Sequence, residues 1–290
     1  MCQNVPFFAD GEAFGIEEFR FFSVTKVLRM DENSLTGQAY WDEYWEKVDV
    51  PQEVRKGKKS LYLNEILTVF DTYLPRNESW SILEIGGAPG QYLAYMHRNF
   101  GYHVSCLDYS KRGCEKTRKN FELLQIPADV YEADLFHKEL LLPSFDIVYS
   151  LGFIEHFVNL DHVVERHLDF LKPGGFLVVG TPNFLGINCF FLRRLCPERL
   201  VRVNLHAMDI SNWASFEEKY KLVKVFKGYV GGFEPSIFNR REQKTFSAAV
   251  LKQIAEILTK LFRSHFKFFR KWNSKYVSGY VMAVYRKAGL

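Results

Sequence analysis

Two kinds of hydrophobic pattern follow one another along the chain. Between residues 38 and 74 the apolar positions recur every three or four residues, which predicts amphipathic helices on either side of a charged bend at 55–59. After Pro75 the pattern changes to short apolar runs that end in Gly, Asp, Ser or Asn, as is typical of strands. The runs are SILEIGG (81–87), HVSCLDYS (103–110), ADVYEADL (128–135), FDIVYSLG (145–152) and GGFLVVGTPN (174–183).

Amphipathic stretches of helical length separate these runs, at 90–100, 110–125 and 159–171. Strands that are apolar throughout and alternate with helices are typical of a mostly parallel sheet covered on both faces. The third helix is predicted to end at 171–175, where Pro and Gly interrupt it. Further along, the pattern predicts a helix at 211–220, a strand at 222–230, a long amphipathic helix at 246–270 and a closing strand at 276–287.

The composition is that of a globular protein. Of the 290 residues, 47% are hydrophobic and 25% are charged, which excludes disorder, collagen and coiled coil. The five cysteines contain no C-x-x-C pair, so they support neither a disulfide framework nor a zinc site, and we expect no metal. Neither a secretory signal nor an apolar run of about 18 residues is visible, and the sequence therefore predicts a cytoplasmic protein.

A glycine-rich segment follows the first predicted strand. Its residues are Glu84, Gly86, Gly87, Ala88 and Gly90. Glycines allow the backbone to approach a ligand closely, and ligands of open parallel sheets lie beyond the carboxyl ends of the strands. Asp108 ends the second predicted strand, where an acid can bind two ribose hydroxyls. The segment therefore predicts a nucleoside site.

The same residues discriminate among nucleosides. A dinucleotide fingerprint needs G-x-G-x-x-G, and neither register, counted from Gly86 or from Gly87, has glycine at its third and sixth positions. The carboxylate of Glu84 at the strand tip would repel a pyrophosphate, whereas it would attract the sulfonium and amino groups of S-adenosylmethionine. S-adenosylmethionine is therefore the predicted cofactor.

In these residues the sequence resembles the class I S-adenosylmethionine-dependent methyltransferases, over roughly residues 75–183. The first motif of that family is E/D-x-G-x-G-x-G. Glu84, Gly86 and Gly90 match it, and Ala88 replaces the middle glycine.

The resemblance implies roles for residues at the ends of the next strands. Asp108 would bind the ribose, and Tyr109 would lie along the adenine. Asp134 and Leu135 would contact the adenine amino group and ring, and Ser150 would face the cofactor from the end of the fourth strand.

The resemblance also implies the fold. We expect an α/β, Rossmann-like doubly wound, mostly parallel seven-stranded sheet with helical N-terminal and insertion elements, in a single methyltransferase domain over residues 1–290. Its expected parts are an N-terminal helical cover (1–75), a cofactor-binding core (76–183), an acceptor-covering insertion (184–210), and C-terminal strands with an amphipathic helix (211–290).

Glu155 and His156 follow the fourth strand, at the mouth of the predicted site. Methyl transfer to a hydroxyl needs an aligned acceptor and removal of a proton, and a histidine of near-neutral pKa suits that task. His156 is therefore the candidate catalytic base, and the alternative is that the pair orients the loop or caps the helix. The family's D/N-P-P-Y/F motif is absent here, which counts against nucleobase and glutamine-amide acceptors.

Two further segments would cover the site. In related methyltransferases an N-terminal helix often folds over the cofactor and holds the methionyl carboxylate with an aromatic or a cation; the alternative is packing on the sheet. The candidates on that helix are Tyr40, Trp41, Tyr44 and Trp45. In the insertion, Arg193, Arg194 and His206 would lie over the acceptor, where the arginines either bind an anionic group or face solvent.

Together these features predict an enzyme that transfers a methyl group from S-adenosylmethionine to a small, apolar or amphipathic molecule. An aromatic content of 16% favours such an acceptor. The alternatives are a noncatalytic S-adenosylmethionine-binding partner or regulatory protein, and a methyltransferase acting on RNA or protein. The net charge of +4 is too small to indicate a nucleic-acid partner, and none is expected.

The C-terminal region is basic, because residues 251–290 carry nine Lys and Arg and one acid. In the helix predicted there, apolar side chains fall on one stripe. That stripe could pack on the sheet edge or in a homodimer. Alternatively, residues 246–271 could make a peripheral contact with an anionic membrane, where each basic side chain adds roughly 1 kcal/mol of attraction. Nucleic acid is the third interpretation.

Overall fold

The computed structural model of the chain describes residues 34–57, 60–233, 250, 253–254, 256–258, 260 and 272–289. Within that part of the chain, a seven-stranded sheet forms the centre of the fold. Its strands are β1 (Ser81–Ile85), β2 (His103–Asp108), β3 (Ala128–Glu132), β4 (Phe145–Leu151), β5 (Leu171–Pro182), β6 (Leu222–Val230) and β7 (Tyr280–Lys287).

The strand order is β3-β2-β1-β4-β5-β7-β6. The first five strands run parallel, and β7 lies antiparallel between β5 and β6. The order reverses between β1 and β4, which pair with Glu84 opposite Tyr149. A reversal of this kind opens a crevice at the carboxyl ends of the two strands, where ligands of doubly wound sheets bind. The predicted Rossmann-like, mostly parallel seven-stranded sheet is confirmed.

Helices cover both faces of the sheet. One face packs against α2 and α3 through side chains such as Phe70 and Leu93, and the other packs against α5 and α7 through Val164 and Phe216. The helices are α1 (Gln38–Glu46), α2 (Leu61–Tyr73), α3 (Gln91–Phe100), α4 (Lys111–Leu124), α5 (Leu160–Asp169), α6 (Gly186–Leu195) and α7 (Ala214–Lys219).

Local capping fixes where the helices next to the crevice begin. The hydroxyl of Ser110 accepts a hydrogen bond from the backbone N–H of Gly113 at 2.9 Å and caps α4, which starts directly after β2. The side chain of Asn159 caps α5 in the same way through the N–H of His162. The first cap turns the chain directly from the end of β2 into α4, and the second starts α5 after the loop that follows β4.

The Pro-Gly-Gly segment differs from its prediction. Helix α5 ends at Asp169, and residues 171–175 already belong to β5, which pairs with β4 through an irregularity between Phe145 and Ile147. The amine of Lys172 donates to Asp146 at 2.9 Å and holds the irregular segment on the sheet. A bulge accommodates the residues that were expected to form a turn.

The C-terminal additions agree with prediction in part. Residues 184–206 fold as α6 and two short 3₁₀ turns, and the closing strand begins at Tyr280. The long helix predicted at 246–270 lies mainly outside the described residues; those described between 250 and 260 are helical. In the described part of the chain no helix has the length and apolarity needed to cross a membrane.

Candidate active site

The glycine turn joins β1 to α3 at the sheet's reversal point. The N–H of Gly86 donates to the carbonyl of Leu107 on β2 at 2.8 Å, and Gly86 and Gly90 have φ of +67° and +82°. Only glycine adopts such φ values without strain. A side chain at Gly86 would also collide with the ring of Phe153. The predicted glycine turn is therefore a tight backbone loop that lies directly against its neighbours.

Asp108 ends β2 beside this turn and is 7% exposed. Its carboxylate accepts hydrogen bonds from the N–H of Ser110 at 2.8 Å and, more loosely, from the N–H of Ala88 at 3.4 Å. Burial raises its pKa to about 6, and the backbone hydrogen bonds oppose that rise. The site thus holds a carboxylate that is only lightly satisfied and can accept further hydroxyl groups.

Glu84 lies beneath the turn, packed against Gly87 and only 3% exposed. Burial raises its pKa to about 8. The hydroxyl of Tyr149 is next to it without forming a hydrogen bond of good geometry, and Oε2 of Glu84 has no partner among the described residues. A buried carboxyl oxygen without a partner is costly, and a cationic group of a ligand in the crevice would satisfy it. The buried carboxyl group of Glu84 therefore fits S-adenosylmethionine, which carries a cationic sulfonium and a cationic amino group.

Tyr109 lies under the N-terminal segment. Its hydroxyl donates to the carbonyl of Thr36 at 3.1 Å, and its own carbonyl accepts from the side chain of Gln38 at 2.8 Å. Asp134 is exposed, and its side chain closes a turn by accepting from the N–H of Phe136 at 3.0 Å. Leu135 is buried in the core on the α5 face of the sheet. The turn after β3 thus brings Asp134 to the same edge as Tyr109.

Ser150 has a different orientation from the one expected. Its hydroxyl, fully buried, bonds to Nε2 of His167 on α5 at 2.9 Å, while Nδ1 of His167 bonds to the carbonyl of Val163 at 2.7 Å. Burial lowers the pKa of His167 to about 4, so the imidazole is neutral and Nε2 accepts a hydrogen bond from the hydroxyl of Ser150. The side chain of Ser150 therefore faces α5, and its backbone remains the part that reaches the crevice at the strand end.

Helix α1 lies across the strand ends. Asp42 accepts hydrogen bonds from the hydroxyl of Ser110 at 2.6 Å and from the N–H of Arg112 at 3.2 Å. Trp45 packs on Gly113 of α4, and the ring of Trp41 meets that of His156 with centroids 5.0 Å apart. The aromatic helix therefore covers the region between β2 and the loop after β4.

His156 ends a 3₁₀ turn, Ile154–His156, behind β4. Its Nδ1 bonds to the carbonyl of Arg202 at 3.0 Å, and a carbonyl accepts only, so Nδ1 carries the proton of the neutral ring and Nε2 has a lone pair. Burial lowers its pKa to about 4, which corrects the near-neutral value expected from the sequence. Nε2 lies 3.9 Å from Oε1 of the neighbouring Glu155.

The insertion contacts the loop that carries Glu155 and His156 through hydrogen bonds to backbone carbonyls of that loop. The N–H of Asn204 donates to the carbonyl of Glu155 at 2.6 Å, and its side-chain amide donates to the carbonyl of Phe157 at 3.0 Å. Arg193 and Arg194 are exposed, and His206 is exposed and bonded to Asn212. The two arginines thus face solvent, which was one of the two interpretations.

Several polar residues next to the strand ends were missed from the sequence. Tyr62 of α2 stacks on Tyr280 of β7, with ring centroids 6.0 Å apart, and the positive charge of Arg199 acts on both Glu155 and His156. Each of these tyrosines lies in an apolar run and is indistinguishable from a core aromatic. Only the sheet order, which brings β7 next to β5, could have revealed them.

The comparisons with known proteins agree with this geometry. A family model described as a methyltransferase domain matches residues 83–179, from the middle of β1 to near the end of β5. No protein with a curated function matches the chain in sequence.

Solved structures share the fold at low sequence identity. Geranyl diphosphate C-methyltransferase of Streptomyces coelicolor, solved with S-adenosyl-L-homocysteine, is 12% identical, with a TM-score of 0.58 over 87% of this chain and 97% of that one. The cyclase SpnF is 14% identical, with a TM-score of 0.56 over 89% of this chain and 97% of that one.

Coclaurine N-methyltransferase, solved with N-methylheliamine and S-adenosyl-L-homocysteine, is 12% identical, with a TM-score of 0.54 over 83% of this chain and 77% of that one. The glycine turn, the acid that ends β2 and the reversal of strand order coincide with the matched domain. Residues 83–179 of this chain therefore match a methyltransferase domain, and the solved structures share its fold, which supports the resemblance to the class I S-adenosylmethionine-dependent methyltransferases.

Proposed function

We propose that this protein is an enzyme that methylates a small, apolar or amphipathic molecule. The observation that carries the proposal is the position of His156, which lies behind the end of β4, under Trp41 of α1 and against the carbonyl of Arg202 in the insertion. A cofactor site alone needs neither of these covers. An acceptor that must be aligned and kept from water needs both.

The cofactor-binding residues are assigned from their positions at the strand ends. Glu84 would attract a cationic group of the cofactor, and Asp108 would accept the ribose hydroxyls. Tyr109, Asp134 and Leu135 would surround the adenine. Backbone atoms of Gly86, Gly87, Ala88, Gly90 and Ser150 would complete the site.

The cofactor supplies an electrophilic methyl group on a sulfonium. The chain's own residues have three tasks: to bind, to orient and to exclude water. Trp41 and the backbone of residues 202–204 close the loop that carries His156, so an acceptor held there is shielded from solvent. Alignment of this kind supplies much of the rate enhancement in reactions that join two bound molecules.

His156 is the proposed proton acceptor. Its Nδ1–H is held by the carbonyl of Arg202, which orients the ring and leaves the lone pair of Nε2 available. Since burial lowers its pKa to about 4, the ring is neutral throughout the physiological range and does not need to lose a proton first. The same low pKa makes it a weak base, suited to an acceptor that loses its proton as the new bond forms.

The fold alone does not establish methyl transfer, since the neighbour SpnF is a [4+2]-cyclase. The noncatalytic alternative predicts cofactor binding without turnover. The RNA or protein alternative predicts transfer to a macromolecule. The small-molecule proposal is supported by the named substrates of two neighbours, geranyl diphosphate and the coclaurine skeleton.

The experiment has two stages. Calorimetry with S-adenosylhomocysteine should show binding by the wild type and its loss in Asp108→Ala. The enzyme is then incubated with methyl-tritiated S-adenosylmethionine and a panel of small amines, alcohols, thiols and acids, with bulk RNA and denatured protein as separate arms. Binding without transfer in any arm favours the noncatalytic alternative, and label only in RNA or protein overturns the small-molecule proposal.

We also propose a cytoplasmic protein whose C-terminal helix makes peripheral membrane contact or a homodimer. Val250, Ile254 and Ile257 are exposed, whereas Leu258 packs against the core of the insertion. Three exposed apolar side chains on a basic segment suit either partner. Sedimentation with anionic vesicles at low and moderate salt tests the membrane contact, and analytical ultracentrifugation tests the dimer.

A further inference from the structure

Glu155 is a buried acid that the cofactor site does not use. It follows the end of β4 and is 2% exposed, and its Oε2 has no hydrogen-bond partner among the described residues. Burial raises its pKa to about 8, and hydrogen bonds from its own backbone and from the Thr181 side chain, with the charge of Arg199, lower it only in part. A buried carboxyl oxygen left without a partner costs stability, and a ligand that donates to Oε2 would satisfy it.

There is room for a small group beside this carboxyl. A side-chain atom placed on Gly152 would meet Oε1 of Glu155 at 3.6 Å and Pro182 at 3.9 Å, with no closer neighbour among the described residues. On another side, Nε2 of His156 is 3.9 Å from Oε1, too far for a direct hydrogen bond. The carboxyl group therefore adjoins both a position that has room for a small group and the proposed proton acceptor.

Aromatic rings border the same region. The ring of Tyr280 lies over Gly180 of β5 and stacks nearly parallel on Tyr62, at an interplanar angle of 14°. Burial raises the pKa of the Tyr280 phenol well above its usual value, and the negative charges of Glu155 and Glu84 raise it further. The negative charges of both acids therefore act on Tyr280. Aromatic faces beside carboxylates attract cations through the ring quadrupole.

We propose that the methyl acceptor is an amine whose ammonium form binds to Glu155, beside Tyr280. The inference rests on the proposed function and names the acceptor of that same site. A carboxylate or phosphate acceptor would be repelled by Glu155. A simple alcohol carries no charge that would favour the ionised form of the buried acid.

Glu155 can also remove the proton that an ammonium group must lose before it is methylated. An ammonium has no lone pair and cannot accept a methyl group. Transfer of its proton to the Glu155 carboxylate breaks an N–H bond, leaves the electron pair on nitrogen and forms an O–H bond on the carboxyl group. Because burial has already raised the pKa of Glu155 toward that of an amine, the neutral pair is readily reached.

Calorimetry tests the amine assignment without requiring turnover. Benzylamine and hexylamine are each compared with benzyl alcohol and hexanol, with and without saturating S-adenosylhomocysteine. The wild type should bind at least one amine about tenfold or more tightly than its alcohol. Titrations in buffers of different ionisation enthalpy should show release of about one proton per amine bound at pH 7, because free Glu155 is then mostly protonated.

Three variants give the comparison. Glu155→Gln should lose both the preference for the amine and the proton release, Glu155→Asp should retain part of each, and Glu218→Gln, on the exposed face of α7, should behave as wild type. Equal affinity for amine and alcohol in the wild type, or a preference that survives in Glu155→Gln, overturns the assignment. If S-adenosylhomocysteine binds while the amine preference is missing, the proposed function stands and only the acceptor class is wrong. If S-adenosylhomocysteine itself does not bind, the proposed function fails.

Discussion

The indole of Trp41 and the imidazole of His156 meet edge to face, with ring centroids 5.0 Å apart and planes at 85°. This contact joins α1 to the loop after β4 across the carboxyl ends of the sheet. It is also one of the contacts that bury His156, and burial is the main cause of its low pKa. The protonation of the proposed proton acceptor is therefore coupled to the position of the N-terminal helix.

Removing the indole should raise the pKa of His156. In Trp41→Ala, water reaches the ring, and its pKa should move from about 4 by one unit or more toward the usual 6.5. Proton NMR titration of the histidine signals, assigned with His156→Gln, measures the change. Trp41→Phe keeps an aromatic edge and should leave the pKa near the wild-type value; an unchanged pKa in Trp41→Ala would show that the helix does not shield the ring.

Cofactor affinity should fall in acid. Asp108 must be ionised to accept two ribose hydroxyls, and its pKa is raised to about 6 by burial. Below that pH the proton competes with the ligand, so S-adenosylhomocysteine should bind about tenfold more weakly at pH 5 than at pH 7.5. Calorimetry across this range measures the effect. Asp108→Asn should bind weakly at both pH values, and a wild-type affinity that does not change with pH would remove Asp108 from the ribose site.

Glu84 should make the unliganded protein less stable as the pH rises. The unfolded chain ionises this acid near 4.5, whereas the folded protein holds its pKa at about 8. A raised carboxyl pKa means that stability falls between these values, by about 3 kcal/mol from pH 5 to pH 8. Urea denaturation should show this loss in the wild type and much less of it in Glu84→Gln.

That variant should also bind S-adenosylhomocysteine less tightly than the wild type, because a neutral amide no longer attracts the ligand's ammonium group. Glu218→Gln, an exposed change of the same chemistry, is the control and should leave both stability and binding as they are. Equal pH dependence in Glu84→Gln and wild type would assign the loss of stability to other groups.

The parts of the fold that were predictable depend on local pattern. The runs that became β1, β2 and β4 are bounded by polar residues and glycines, and the spacing from Gly86 to Asp108 follows from one strand–helix–strand unit. Residues 171–175 were misassigned for the same reason, because Pro and Gly read locally as a turn. Their pairing with β4 and the ion pair of Lys172 with Asp146 depend on the assembled sheet.

The remainder of the candidate site depends on contacts between distant segments. His156 meets the carbonyl of Arg202 across 46 residues of sequence, and Tyr62 meets Tyr280 from opposite ends of the chain. No periodicity predicts which insertion covers a loop or which strand inserts beside β5. The low pKa of His156 follows from that cover, and so it could not be predicted before the cover was known.

The hydrogen bond between Ser150 and His167 should act on stability. Ser150→Ala leaves Nε2 of a fully buried imidazole without a donor, which costs about 1–3 kcal/mol of unfolding free energy. Adding His167→Leu removes the unpaired group and should recover part of that loss. Affinity for S-adenosylhomocysteine should stay within about twofold of wild type, since the hydroxyl faces α5; a larger loss would show that the side chain reaches the cofactor.

The glycine turn allows conformational strain to be separated from collision. Gly86 and Gly174 both have positive φ, +67° and +76°. A Cβ atom added at Gly86 would collide with Phe153, whereas one added at Gly174 would meet no atom of the described residues within 4 Å. Gly174→Ala should therefore cost only the strain of the left-handed backbone, about 1 kcal/mol. Gly86→Ala should cost about 1–3 kcal/mol more because it overpacks the turn.

Urea denaturation of the two single variants and of Gly86→Ala combined with Phe153→Ala gives the comparison. The double variant should be more stable than the sum of its single changes predicts, because truncating Phe153 relieves the collision and leaves the strain. Gly86→Ala should also weaken S-adenosylhomocysteine binding. Gly174→Ala should not, because Gly174 lies near the start of β5, at the opposite end of the parallel strands from the glycine turn. Equal costs for the two glycines would mean that Phe153 yields freely. The turn would then be held by backbone conformation alone.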